Sequence, residues 1–161
     1  MDSKTQEILS STFAETMEKM AFIFSDPLDK SEVAVEEQKY LSAVISFSGK
    51  YRGIIEIAAP QQTCNIIAAN MLGLEPEEQE SEQKAVDAFK ETLNILCGQY
   101  LTNAFGRDEV FLLSTPQGEI CSFEKVNNMV QSEDVICFSV EEQPFVVTAV
   151  VAEQGQRVGA A

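Results

Sequence analysis

The segment Asp87–Leu101, DAFKETLNILCGQYL, has the apolar spacing of an amphipathic helix, yet it also carries residues that helices disfavour. At about 100° per residue, with Val86 placed at 0°, a face between about 280° and 20° collects the apolar side chains Phe89, Leu93, Leu96, Cys97, Tyr100 and Ala104. A second face, at about 80° to 140°, holds Asn94, Asp87, Gly98 and Glu91, which we call the polar stripe. Glycine inside a helix costs about 1 kcal/mol relative to alanine, so its place in the stripe requires an explanation.

Each residue of the polar stripe also has an ordinary structural explanation. A single Asn at the margin of a core is usually a satisfied structural amide, and acidic residues on a helix face are usually solvated. Gly98 could serve only a close contact with another helix or strand of the same fold. The spacing i, i+4, i+7 and i+11 nevertheless places all four side chains on one surface. It favours a shared role, as a polar groove beside the core face.

The composition limits the possible functions. The chain has 161 residues, 45% of them hydrophobic, which predicts a single domain over residues 1–161 with frayed tails at 1–5 and 153–161. The net charge of -15 disfavours nucleic acid and membrane surfaces as partners. The sequence has no apolar run long enough to span a bilayer and no secretory signal, so we expect a cytoplasmic protein.

The chemistry available to the chain is limited by the absence of histidine. Ser-His-Asp and Cys-His nucleophile systems are excluded, and a protein-bound zinc or iron is disfavoured. The four cysteines, Cys64, Cys97, Cys121 and Cys137, lack CxxC spacing and are predicted to be buried free thiols. Any reaction must therefore rely on carboxylates, amides and positioning, without a metal or cofactor of the chain's own.

The order of patterns along the chain predicts an α/β domain of the two-layer α+β kind, with a mostly antiparallel sheet backed by helices. Helical spacing covers residues 6–24, 61–72 and 81–105. Strand patterns are YLSAVISFSG (40–49), RGIIEIAAP (52–60), EVFLLST (109–115), EICSFEKV (119–126), DVICFSV (134–140) and PFVVTAVVA (144–152).

Two parts of the sequence occur twice. STFAETMEKMAF at 11–22 aligns with DAFKETLNILCG at 87–98 at an offset of 76 residues, and VISF at 44–47 recurs as VICF at 135–138. Such internal similarity predicts a tandem helix-and-strand unit with pseudo-twofold symmetry.

The first copy differs from the second at the polar stripe. Ser11 and Glu15 match its first two positions, whereas Glu18 and Phe22 stand where the second copy has Asn and Gly. If the stripe meets a phosphoryl group, the extra carboxylate would repel that group and the ring would block it. We therefore predict one live site and one lapsed site, the latter at Ser11, Glu15 and Glu18.

At these residues the sequence resembles the CheC/CheX/FliY family of chemotaxis phosphatases. The signature of that family is Asp or Ser, three residues, Glu, two residues and Asn on a surface helix. D-AFK-E-TL-N at 87–94 fits it fully, and S-TFA-E-TM-E at 11–18 fits it except at the Asn. A single intact site is similar to the CheX branch rather than the two-site CheC branch. GKYRGIIEIAAP at 49–60 and IIAANMLG at 66–73 also resemble CheX, so the resemblance covers most of residues 5–152.

The resemblance implies a phosphatase that acts on the aspartyl-phosphate of CheY-type receiver domains. Asn94 would orient the attacking water, Glu91 would pair with a receiver lysine, and Asp87 would support the helix face or the receiver contact. Gly98 would leave room for the partner's approach. A divalent metal, expected to be Mg²⁺, would come from the receiver. The family also implies a homodimer whose sheet extends across the two chains.

Two alternatives remain open. A non-catalytic scaffold would dock a receiver or a flagellar-motor component through the polar stripe, and the absence of turnover would identify it. A structural or small-ligand domain would pack the stripe internally, in which case Asn94 would be inaccessible to solvent.

Overall fold

The computed structural model describes residues 1–75, 77 and 81–155. The helices in these ranges are α1 (Ser3–Ala21), α2 (Gln61–Leu72), α3 (Glu82–Phe105) and α4 (Phe123–Gln131). The strands are β1 (Ser25–Leu28), β2 (Tyr40–Ser48), β3 (Tyr51–Pro60), β4 (Leu112–Leu113), β5 (Gln117–Cys121), β6 (Val135–Val140) and β7 (Gln143–Glu153). None of these helices combines the length and apolar content that crossing a membrane requires.

The strands form one antiparallel sheet, which confirms the predicted fold class. The order across it is β1-β6-β7-β3-β2, and both β4 and β5 pair with the far edge of β2. This order is symmetric about the central β7–β3 pair, because β6 then corresponds to β2 and β1 corresponds to β4 and β5. The matched VISF and VICF segments lie in β2 and β6. The predicted pseudo-twofold repeat is therefore present in the topology.

Helices α1 and α3 are the repeated helices, and they bury equivalent positions. The buried residues that correspond at the offset of 76 are Leu9, Thr12, Phe13, Thr16, Met17 and Ala21 in α1 and Ala85, Ala88, Phe89, Thr92, Leu93 and Cys97 in α3. Both helices cover the same face of the sheet: Phe13 stacks on Phe138 with 4.1 Å between ring centroids, and Phe89 lies 5.6 Å from Phe145. Burial of these faces supplies the main core of the domain.

The short helix α4 lies on the opposite face of the sheet and corrects one prediction. Its Val126, Met129 and Val130 pack against a second, smaller cluster that includes Tyr40 and Ala58. The segment EICSFEKV was predicted to be a single strand, but β5 ends at Cys121 and the helix begins at Phe123. The physical reason is Ser122, whose Oγ accepts a hydrogen bond from the backbone N of Lys125 (3.4 Å) and so caps the helix.

Three other predictions about the ends of elements also need correction. The strand patterns include none at 25–28, but Ser25–Leu28 forms edge strand β1, where the missing N–H of Pro27 is tolerated. Of the strand predicted at 109–115, only Leu112–Leu113 pairs with β2. Helix α1 was predicted over 6–24, but it spans Ser3–Ala21.

Residues 1–5, predicted to be a frayed tail, contain the start of α1 at Ser3 and the residue that caps it. The Asp2 Oδ1 atom accepts a hydrogen bond from the backbone N of Thr5 (2.7 Å), so Asp2 caps α1, and this bond lowers the pKa of the Asp2 carboxyl. The Met1 ammonium lies 2.6 Å from the Asp134 carboxylate. At the other end, β7 continues to Glu153, and residues 156–161 of the predicted tail lie outside the described residues.

Candidate functional site

Helix α3 places the polar stripe. Its first turn is capped by Ser81, whose Oγ accepts a hydrogen bond from the backbone N of Lys84 (3.2 Å). The apolar face predicted from the periodicity is the face that packs on the sheet, since Phe89, Leu93, Leu96, Cys97 and Tyr100 are all buried. The polar stripe, whose centre is rotated by about 140° from the centre of that face, is therefore held at a fixed orientation beside the core.

Three residues of the stripe, Asp87, Glu91 and Asn94, line one wall of a groove of 370 Å³. Glu91 is exposed and Asn94 is partly exposed. The alternative in which the stripe packs internally is therefore wrong, because the amide at position 94 is accessible from outside. A groove is therefore present beside the core face, lined by three of the four stripe residues.

The polar groups of Glu91 and Asn94 are free of partners in the described part of the chain. Among the described residues, the Asn94 carboxamide has no hydrogen-bond partner and the Glu91 carboxylate has neither a hydrogen bond nor an ion pair. Asp87 differs, because its Oδ1 accepts a hydrogen bond from the Gln83 Nε2 (2.9 Å) one turn earlier. The site thus offers a carboxamide that can both donate and accept, with a free carboxylate one turn away.

Gly98 lies further along α3, in an adjoining pocket of 150 Å³. A Cβ atom added at Gly98 would meet nothing within 4 Å. The interpretation of Gly98 as a residue that permits a close contact within the fold is therefore wrong. The residue instead leaves an open surface just beyond Asn94, as the polar-stripe interpretation requires.

The opposite wall of the groove is a bulge in the edge strand, residues 113–116. Between its pairings with β2 at Leu113 and at Gln117, the edge strand has three residues, 114–116, opposite only two residues of β2. Ser114 anchors the bulge: its backbone N donates to the Ser46 carbonyl and its Oγ accepts from the Ser46 backbone N, both at 2.9 Å. We did not predict this wall, although Pro116, directly after the strand predicted at 109–115, was a signal for an interruption of the edge strand.

Lys90 is a further groove residue that the sequence interpretation missed. With Val86 at 0° it falls at about 40°, between the core face and Asn94, so the same arithmetic could have found it. It is partly buried, and its aliphatic stem lies against Gly118 of β5.

The first copy of the motif presents a different surface. Ser11, Glu15 and Glu18 are exposed on α1, and the Ser11 Oγ donates to the Ile8 carbonyl (3.1 Å). The groove that flanks α1, of 260 Å³, is lined from that helix by Gln6 and Ser10 instead of the three motif residues. The structure therefore preserves the repeated helix at this position without assembling its motif into that groove.

The cysteines lie away from the groove. Cys64, Cys97 and Cys137 are buried free thiols as predicted, whereas Cys121 is only partly buried. Burial raises the pKa of Cys97 to about 12 and that of Cys137 to about 11, so both are protonated at neutral pH. Among the described residues, no three His, Cys, Asp or Glu side chains are grouped so that they could hold a metal ion.

Comparison with known proteins gives a family and a set of similar folds. The sequence profile of the family described as chemotaxis phosphatase CheX matches residues 41–138, a range that contains the motif at 87–94. No curated protein matches.

Among solved structures, the chain is similar to the chemotaxis protein CheX from Desulfovibrio desulfuricans (20% identity, TM-score 0.67, 92% of this chain and 99% of that one). It is similar to a CheC-like superfamily protein from Shewanella sp. PV-4 (17% identity, TM-score 0.67, 94% and 99%). It is also similar to a chain of the CheX-CheY-BeF3-Mg²⁺ complex from Borrelia burgdorferi (17% identity, TM-score 0.65, 92% and 97%). At these identities the structural likeness concerns the fold.

Proposed function

This chain belongs to the chemotaxis phosphatase CheX family, and we propose that it hydrolyses the aspartyl-phosphate of a CheY-type receiver domain. The observation that supports this most directly is the pair formed by Glu91 and Asn94. Both side chains line an open groove one turn apart on α3, and neither has a hydrogen-bond or ion-pair partner among the residues that the structure describes. Polar groups kept free of internal partners are available to a docking protein.

Asn94 is proposed to act on the attacking water. An acyl phosphate is already reactive, so the reaction chiefly needs a water held in line with the phosphorus. A carboxamide can accept a hydrogen bond from that water through its oxygen and donate one to a neighbouring oxygen through its nitrogen. Because Leu93 and Leu96 on either side of Asn94 are buried in the core, the backbone that carries the amide is held rigidly.

Glu91 is proposed to set the docking register. Its exposed carboxylate would pair with a lysine of the receiver, one helical turn from the amide. Asp87 would support this surface through its hydrogen bond with Gln83, and the open space at Gly98 would admit the receiver surface beyond Asn94.

The divalent metal, expected to be Mg²⁺, is proposed to belong to the receiver. The Borrelia burgdorferi relative is described in a complex with CheY, BeF3 and Mg²⁺, where BeF3 stands in for a phosphoryl group. A partner of the same kind is proposed here, and the reaction then needs only positioning groups from this chain.

Two further properties are proposed from the family. The chain is expected to form a homodimer through an edge of its sheet, and the exposed Leu112 and Ile120 on the edge formed by β4 and β5 are consistent with this. It is also expected to act in the cytoplasm, where receiver domains are found. Mass measurement in solution by light scattering, with single charged substitutions at Leu112 and at Ile120, tests the dimer.

The phosphatase activity is tested by phosphate release from a phosphorylated receiver held in large molar excess. Wild-type protein should accelerate release through many turnovers. Asn94→Ala should lower the rate by about two orders of magnitude while leaving the fold intact. Asn128→Ala, which removes an exposed amide from α4 on the other face of the sheet, is the matched control and should behave as wild type.

The outcome separates an enzyme from a scaffold. A scaffold would bind the receiver yet release no more phosphate than the receiver does alone. Equal rates for wild type and Asn94→Ala, each above the spontaneous rate, would instead remove Asn94 from the mechanism.

A further inference from the structure

Lys90 brings a positive charge to a groove whose other charged lining residues are Asp87 and Glu91. The chain as a whole carries 26 acidic and 11 basic residues. A phosphorylated partner presents negative charge, which this surface would repel at long range. A cation inside the groove is therefore the feature that can offset the two carboxylates where the phosphoryl group must approach.

The structure holds the stem of Lys90 in a defined place. At Gly118 in β5, an added Cβ would lie 2.8 Å from the Lys90 Cγ and 3.1 Å from its Cδ. The same Cβ would lie 3.1 Å from the Val86 Cγ1. The lysine stem thus passes over β5 through space that a side chain at position 118 would occupy, so this path requires glycine there. Because the first carbons of the stem are packed, the ammonium reaches the groove from a limited set of rotamers.

The ammonium of Lys90 is unpaired in the described part of the chain. Within the described residues Lys90 makes no ion pair, although Asp87 and Glu91 flank it on the same helix. Lys125 shows the alternative, because its Nζ lies 3.1 Å from Glu56 and 3.7 Å from Glu119 and also donates to the Ser42 Oγ. The ammonium of Lys90 is therefore available to an external anion. The repeated helix α1 has Ala14 at the equivalent position.

We propose that Lys90, positioned by Gly118, is a specificity residue that binds an anionic oxygen of the phosphorylated receiver beside the point where Asn94 acts. This inference rests on the proposed function and deepens it. The oxygen belongs either to the phosphoryl group or to a carboxylate next to it, since an ammonium pairs with both. In either case Lys90 strengthens receiver binding and takes no part in the hydrolysis step itself.

The first test is steady-state phosphate release by Lys90→Met and Lys90→Arg. Removing the charge should raise the KM for the phosphorylated receiver about 3- to 10-fold while kcat changes less than about twofold, and the KM effect should shrink as salt is added. Arginine keeps the charge and should restore most of the affinity. Lys19→Met on α1, an exposed lysine that changes the net charge equally, is the control and should leave KM unchanged. The proposal is overturned if Lys19→Met raises KM as much as Lys90→Met does.

The second test displaces the ammonium without removing it. Gly118→Ala preserves the net charge but pushes the lysine stem away, so KM should rise as it does in Lys90→Met. When Gly118→Ala is added to Lys90→Met, KM should rise little further, because no charge remains to be displaced. A KM effect of Gly118→Ala that is equally large with and without Lys90 would contradict the positioning role.

The third test identifies the anion by equilibrium binding of an unphosphorylated receiver, with and without BeF3 and Mg²⁺. If Lys90→Met weakens only the BeF3-bound complex, the anion is the phosphoryl group, and if it weakens both equally, the anion is a carboxylate. No weakening of either complex overturns the proposal. Should wild-type protein release no phosphate at all, the proposed function fails, yet this binding comparison still decides the role of Lys90.

Discussion

Phe22 and Gly98 occupy equivalent positions in the two repeated helices, but their surroundings are opposite. Phe22 ends α1 in the left-handed conformation (φ 55) with 74% of its side chain exposed. Gly98 lies inside α3, which continues to Phe105, and has open space where its side chain would be. One repeat therefore ends at an exposed aromatic ring where the other continues as a helix with open space beside it. The proposed docking at the second copy depends on this difference.

Restoring the missing amide in the first copy should not create a second active site. In an Asn94→Ala background, Glu18→Asn completes the signature at Ser11, Glu15 and position 18, but α1 ends three residues later and Phe22 remains in place. We expect phosphate release to stay at the level of Asn94→Ala alone. Recovery of even about a tenth of the wild-type rate would show that the motif is sufficient without the groove of α3.

Gly98→Ala should stabilise the protein, because alanine is the better helix former and its methyl meets nothing within 4 Å. The expected gain in the free energy of unfolding is about 0.5–1 kcal/mol, measured by urea titration. Gly53→Ala is the contrasting substitution. Its Cβ would lie 2.6 Å from the Phe47 Cζ and press on the Val150 carbonyl, so we expect a loss of about 1–3 kcal/mol. A lower free energy of unfolding in Gly98→Ala would contradict the interpretation that Gly98 faces open space.

Gly98→Leu should weaken receiver binding without destabilising the fold. A larger side chain at this position enters solvent in the free protein, so the unfolding free energy should stay within about 1 kcal/mol of wild type. The same side chain would occupy the space beyond Asn94 that a receiver needs, and we expect weaker receiver binding with a higher KM. Unchanged binding would place the receiver elsewhere on the chain.

Glu91 should show its role through charge reversal. Glu91→Lys is expected to weaken receiver binding by at least about tenfold, since it puts two cations opposite each other, while Glu91→Gln should cost less. Reversing the partner lysine of the receiver to Glu should recover much of the loss in Glu91→Lys. Glu7→Lys, an exposed change on α1, is the control for net charge. Failure of the reciprocal change to recover any binding would argue against the proposed pair.

The buried thiol of Cys97 should make stability fall at alkaline pH. Burial raises its folded-state pKa from the ordinary value of 9.0 to about 12. Above pH 9 the unfolded chain therefore loses a proton that the folded chain keeps, and the free energy of unfolding falls until about pH 12. For this one thiol the loss at about pH 10.5 should be about 2 kcal/mol.

The Cys97→Ala variant isolates that contribution. Compared with its own value at neutral pH, it should lose less stability at alkaline pH than wild type does, measured by urea titration at both pH values. The buried Cys64 and Cys137, whose pKa values are also raised by burial, remain in the variant, so part of the fall should persist. Identical losses in both proteins would contradict the assignment to Cys97.

Several structural features followed directly from local patterns, and others did not. The faces of α3 were predictable because a helix longer than six turns repeats its burial pattern often enough to be unambiguous. The nine-residue α4 was not, because the alternation in EICSFEKV fits a short strand as well as a short helix. The edge bulge at 114–116 depends on its pairing with Ser46, a residue 68 positions away from Ser114.

The amino-acid sequence by itself determined the class of fold, the internal repeat, and the helix on which Glu91 and Asn94 share one polar stripe, since periodicity and spacing are local properties of a chain. Only the tertiary structure decided that this stripe forms one wall of a groove, that Gly98 faces open space, and that Lys90 is held against Gly118. These relations join α3 to an edge strand that comes later in the chain. Contacts between elements that are far apart in the chain arise from tertiary packing, and they leave no local pattern in the sequence.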